Sequence, residues 1–123
     1  MNKLIILLLM VISLWGIEFH SYDKALKMQK KSGKIIMVDI MRTECHFCQK
    51  MNKNVLQEKE MSKYLEKKFI VVKINLDHDK LPSGMHIDFT PTFYFLDTKQ
   101  KIIKRVPGSW NLADFKWIVE RIK

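Results

Sequence analysis

Cys45 and Cys48 are the only two cysteines in the 123 residues, and only His46 and Phe47 stand between them. Two thiols at that spacing can close a disulfide across one helical turn and reopen it with little backbone movement. Thiol–disulfide exchange is the chemistry such a pair suits best. A structural staple is a competing use, but a bridge over so short a loop removes little chain entropy. Metal binding is another. A c-type haem site needs His directly after the second Cys, and Gln49 stands there. A zinc site wants four ligands, and the chain has no second Cys-x-x-Cys. A copper or zinc role alongside Cys45 would have to draw on His78 or His86, which read as loop histidines. No motif calls for a cofactor.

The elements around the dithiol must present it. Residues 34–41 (KIIMVDIM) form a nearly unbroken apolar run, the pattern of a strand buried on both faces. Asp39 interrupts that run. An ionised, unpaired carboxylate there would cost several kcal/mol, so Asp39 is expected to be protonated or paired. Arg42-Thr43-Glu44 leads to the dithiol, and a helix is expected over 46–56, followed by a second helical stretch over 58–67. Residues 69–76 (FIVVKINL) form another strand, with Lys73 on the face of Phe69, Val71 and Asn75.

Upstream, a helix over 21–31 has Ser21 as N-cap and places Tyr22, Ala25, Leu26 and Gln29 along one side. Gly33 suits the left-handed stop that follows it. Downstream, 77–89 reads as a loop punctuated by Pro82 and Gly84. Residues 92–96 and 102–106 read as an antiparallel hairpin, broken by Pro107-Gly108. The last helix opens with Asn111 as N-cap and Asp114 three residues on, with Trp110 placed to staple onto Phe115. Leu112, Phe115, Ile118, Val119 and Ile122 keep helical spacing. A strand–helix–strand unit pairs in parallel by a right-handed crossover, and the hairpin extends the sheet antiparallel. The expected architecture is α/β, a mixed central sheet with helices on both faces.

In this order the residues resemble a thioredoxin-like fold. Val38-Asp39 precedes Cys45 where thioredoxins carry a buried acid, and Cys45-x-x-Cys48 follows at the strand-to-helix junction. Lys73-Ile74-Asn75-Leu76-Asp77 is similar to the strand whose lysine approaches that acid. Thr90-Pro91-Thr92 resembles the cis-proline loop, and Gly108 with the final helix resembles the close of the fold. The opening at Tyr22-Asp23-Lys24-Ala25-Leu26 and the run from Ser32 to Asp39 are similar to the exported group near the C-terminal domain of the membrane reductase DsbD. Glu44 stands where thioredoxins usually have tryptophan, and His46-Phe47 replaces Gly-Pro.

The resemblance implies a redox-active disulfide between Cys45 and Cys48. Cys45, at a helix N-terminus that favours a thiolate, is expected to attack a partner's disulfide. Cys48, one turn further in, is expected to resolve the mixed disulfide, with Asp39 accepting its proton. Lys73 is expected to modulate Asp39. Pro91 is expected in the cis form, with Thr90 facing Cys45 and offering backbone hydrogen bonds to an extended substrate. His46 as an imidazolium would make the protein more oxidising, and Glu44 pulls the opposite way.

Residues 1–17 read as a targeting segment: Lys3 supplies a positive start and residues 4–15 (LIILLLMVISLW) an apolar run, with Gly16 at a plausible cleavage point. The run is shorter than the roughly 20 residues of a membrane-spanning helix. Retained, it would tether the domain to the membrane. The domain proper is expected over 18–123, in the periplasm or otherwise exported. The formal charge is +9, but its lysines are scattered, which describes a solvated surface better than a nucleic-acid site. The expected activity is a protein thiol:disulfide oxidoreductase that reduces client disulfides, served by a membrane redox partner and acting as a monomer. A disulfide-donating oxidase and a Cys/His metal-delivery module are the alternatives.

Overall fold

The computed structural model describes residues 16–123. The targeting segment expected over 1–17 therefore lies outside the described residues, except for its last two. Those two belong to the fold. Ile17 is buried in the core, and its backbone N–H donates to Gln57 Oε1 at 3.0 Å. Gly16 has φ +134°, and a Cβ there would lie 2.5 Å from the same Gln57 oxygen, so glycine is needed at this entry. Among the described residues, packing thus already includes Ile17.

Helix α1 (Tyr22–Ser32) starts where Ser21 Oγ accepts from the Lys24 amide and stops at Gly33, with φ +67°. Strand β1 (Ile35–Met41) leads to α2 (His46–Met51), α3 (Lys59–Lys68), β2 (Phe69–Asn75), β3 (Thr92–Leu96), β4 (Ile102–Pro107) and α4 (Leu112–Glu120). The helix expected over 46–56 is not uniform. After Met51 it widens to a π-helix over Asn52–Leu56, where the Gln57 amide bonds the Asn52 carbonyl five residues back. The Gln57 side chain also bonds Asn52 Oδ1 at 3.1 Å. Glu58 then caps α3, accepting from the amides of Glu60 and Met61.

The sheet order is β2-β1-β3-β4, with β1 and β2 parallel and the remaining pairs antiparallel. A further short edge is added beside β2: His20 bridges to Val72, its N–H donating to the Val71 carbonyl and its carbonyl accepting from the Lys73 amide. Side-chain alternation divides the core in two. Met37, Phe69, Val71, Phe93, Phe95 and Val106 face the side covered by α2, the π-helix, α3 and α4. Ile36, Val38, Ile40, Ile70, Val72 and Tyr94 face α1 and the loop over 76–87. Two polar anchors hold the second face. Gln29 Nε2 donates to the carbonyls of Lys34 and Asp97, both at 2.9 Å. The Tyr94 hydroxyl donates to the His86 carbonyl and accepts from the His86 amide.

At α4, Asn111 Oδ1 accepts from the Asp114 amide as the cap pattern predicts. Phe115 is fully buried against Phe93, with ring centroids 5.2 Å apart. Trp110, expected to staple onto it, stays exposed, and its indole N–H donates to the Pro107 carbonyl. Leu112 is likewise exposed rather than in the core. The helix is short enough that only its Phe115–Val119 side reaches the sheet, while Ile122 is buried just beyond its end.

Candidate active site

Strand β1 delivers the chain to the dithiol through Arg42, Thr43 and Glu44, and that corner is tied to the end of β2. The Thr43 amide donates to Asp77 Oδ2 at 2.8 Å, and Asn75 Nδ2 donates to Thr43 Oγ1 at 2.9 Å. The Thr43 amide, followed by the Thr43 side chain and Arg42, holds the Asp77 carboxyl below its usual value. Gln49, one turn into α2, donates to the Thr43 carbonyl at 3.3 Å. Asp77 and Asn75 thus fix the approach to Cys45. The sequence pattern placed both near the strand end without assigning either that task.

Cys45 is the N-cap of α2 and is joined to Cys48 by a disulfide. Its Sγ accepts from the Cys48 amide at 3.1 Å and from Thr90 Oγ1 at 3.2 Å, and the Thr90 carbonyl oxygen lies 3.6 Å away. Amide and hydroxyl donors at one sulfur stabilise it as a thiolate when the bond is opened. The two sulfurs are unequal in access: Cys45 is half-buried, whereas Cys48 is 6% exposed. The Thr90-Pro91 peptide bond is cis. Pro91 is buried, its carbonyl accepting from the Gly108 amide at 2.8 Å, and Thr92 Oγ1 donates to the Phe89 carbonyl. Thr90 is thereby held against Cys45.

Asp39 lies on the α2 side of the sheet, 4% exposed, opposite Lys73 on β2 and Phe93 on β3. Burial raises its carboxyl and the nearby charge of Lys73 partly opposes the rise, leaving it pushed up to about 7. A carboxyl with that value exchanges a proton readily near neutral pH. Lys73 does reach inward, but to an aromatic ring: its ammonium sits 3.9 Å from the centroid of Phe19. Phe19 carried no sequence signal, because its contact with Lys73 depends on the edge pairing at His20.

Glu44 and His46 are both exposed beside Cys45. Among the described residues neither hydrogen-bonds the sulfur; the His46 ring instead meets the edge of Phe47, with centroids 5.7 Å apart. Phe47 and Phe89 are 60% and 55% exposed, and Phe89 lies close to Gly108 beside the Thr90-Pro91 loop. Apolar area therefore surrounds the disulfide on two sides. Among the described residues no group of three His, Cys, Asp or Glu side chains converges to hold a metal. His78 pairs with Asp79, and His86 is exposed in the loop before Pro91.

A family profile for thioredoxin-like domains matches residues 22–123. Over 102 residues the chain is 24% identical to mouse Anterior gradient protein 3, covering 79% of this chain and 61% of that protein. The chain thus spans about three-fifths of that relative's length. Among solved structures, a thioredoxin from Thermus thermophilus superposes with a TM-score of 0.73 at 29% identity, covering 86% of each chain. A putative disulphide-isomerase from Bacteroides thetaiotaomicron superposes with a TM-score of 0.71 at 24% identity, covering 88% of this chain and 97% of the other.

Proposed function

Since the chain belongs to the thioredoxin-like domain family, in which the Cys-x-x-Cys pair makes it a thiol:disulfide oxidoreductase, we propose that it reduces disulfides of client proteins outside the cytoplasm. The observation that carries this reading is the inequality of the pair: an accessible Cys45 sulfur under two hydrogen-bond donors, and a buried Cys48.

In the reduced protein, the Cys45 thiolate attacks one sulfur of a client disulfide, and the other client sulfur leaves as a thiolate that takes up a proton. Cys48 then attacks the Cys45 sulfur of the mixed disulfide, passing its proton to Asp39. The second client sulfur departs, and the Cys45–Cys48 bond forms. The client gains two electrons and the protein loses two. A membrane thiol donor must restore the dithiol, since a periplasm keeps no reducing thiol pool. The Thr90 hydroxyl donates to the Cys45 sulfur and so keeps it reactive as a thiolate. The apolar, singly charged N-terminal run supports export, and the similarity of Tyr22–Leu26 and of the run from Ser32 to Asp39 to the exported group near the DsbD C-terminal domain fits a membrane-coupled reductant.

Cys45→Ser is expected to abolish reduction of insulin by the dithiol-charged protein, and Cys48→Ala to accumulate mixed disulfides through Cys45. Insulin reduction by Cys45→Ser at the wild-type rate would refute the assignment.

A further inference from the structure

We propose that Phe19 is a positioning residue for the exchange reaction: its ring holds the Lys73 ammonium away from Asp39, leaving that carboxyl able to take the Cys48 proton. This rests on the role given above to Asp39. Asp39 and Lys73 are register partners on neighbouring parallel strands, so their side chains share the face beneath α2. A lysine stem from that position spans the gap between two strands easily. Yet among the described residues the two form no ion pair, and the ammonium lies 3.9 Å from the Phe19 ring centroid. A desolvated aromatic face is a competent resting place for that charge.

Phe19 is itself fixed in place. Ile17 is anchored in the core on one side of it, and on the other His20 exchanges backbone hydrogen bonds with Val71 and Lys73. The edge segment thus delivers one ring to one ammonium. The other elements around Asp39 bring no rival charge. β3 sets Phe93 opposite it, Phe115 of α4 packs on that ring, and among the described residues Lys73 is the charge that acts on the carboxyl. His20, next to Phe19, lines the other face with Met28 and Ile70. At a distance Lys73 only tempers the carboxyl; in contact it would pin the carboxylate in its ionised form and weaken it as a base.

The test follows the Asp39 carboxyl by NMR titration in the full chain, alongside the pH dependence of mixed-disulfide resolution. Phe19→Leu is expected to lower the Asp39 midpoint by about one pH unit or more, with the rate profile moving alongside it, and Phe19→Trp to restore both. Lys73→Met, which needs no change at Phe19, is expected to raise the midpoint, and adding Phe19→Leu to it should change nothing further. An unmoved midpoint in Phe19→Leu, or an equal shift with Lys73 already removed, would overturn the role of Phe19 alone. A midpoint that moves without the rate profile would remove Asp39 as the proton acceptor, and the positioning role with it.

Discussion

At the scale of single residues, Asp39 couples the site's chemistry to the stability of the fold. Its carboxyl value rises from 3.8 in the unfolded chain to about 7 when buried. Between those limits the unfolded chain has released its proton and the folded one has not, so folding loses stability as pH rises from about 4 to about 7. The loss is complete above that window and amounts to roughly 4 kcal/mol at most. Asp39→Asn is therefore expected to unfold at higher denaturant than wild type at pH 8, with the advantage disappearing below pH 4. Chemical denaturation at the two pH values measures it directly. The same substitution removes the proposed proton acceptor, and resolution of a trapped mixed disulfide should slow by about 100-fold. A more stable but slower enzyme is the expected signature. Thr90 acts on the other sulfur. Thr90→Val keeps its shape and removes the hydroxyl donor to Cys45, a loss of about 1.4 kcal/mol or more when the sulfur is charged. Alkylation of the reduced protein at pH 6 is expected to slow about tenfold.

At the scale of elements, the site depends on loops that the sheet holds in place. The loop over 77–91 carries Thr90 and Pro91, and its main attachment to β3 is the Tyr94 hydroxyl, bonded to both backbone groups of His86. Tyr94→Phe removes a part-buried pair of bonds and is expected to cost about 1 kcal/mol. Hydrogen exchange should rise first in this loop rather than in α1 or β1. The corner before Cys45 hangs on Asp77, so Asp77→Ala is expected to slow client reduction while leaving the unfolding midpoint nearly unchanged. These elements were legible to different degrees. Ser21, Gly33 and Asn111 announce helix ends by local chemistry alone, and the structure uses all three as read. The π-helix after Met51 was not legible, because it arises from the Asn52–Gln57 contacts and from Ile17, which engages the Gln57 side chain across 40 residues. Trp110 and Leu112 misled for a related reason. Helical spacing identifies an apolar stripe, but only the tertiary packing decides how much of it reaches the sheet.

At the scale of the whole molecule, the C-terminal ends of β1 and β2 and the loop before β3 converge at one end of the four-stranded sheet, and the disulfide stands there beside exposed Phe47. That convergence was readable because its markers fall in a fixed order: Asp39, the cysteine pair, Lys73, then Thr90-Pro91. What order could not show was the edge segment at residues 17–20, whose pairing beside β2 brings Phe19 over Lys73. Nor does the order determine the direction of electron flow, since Glu44 and His46 flank Cys45 with opposing influence and neither bonds its sulfur. Direction is the central claim, and the reduction potential of the Cys45–Cys48 couple decides it. Equilibration of the full chain against glutathione or thioredoxin redox buffers is expected to give a value near −270 mV, about that of a reductant. A value near −120 mV, about that of a strong disulfide donor, would contradict the account.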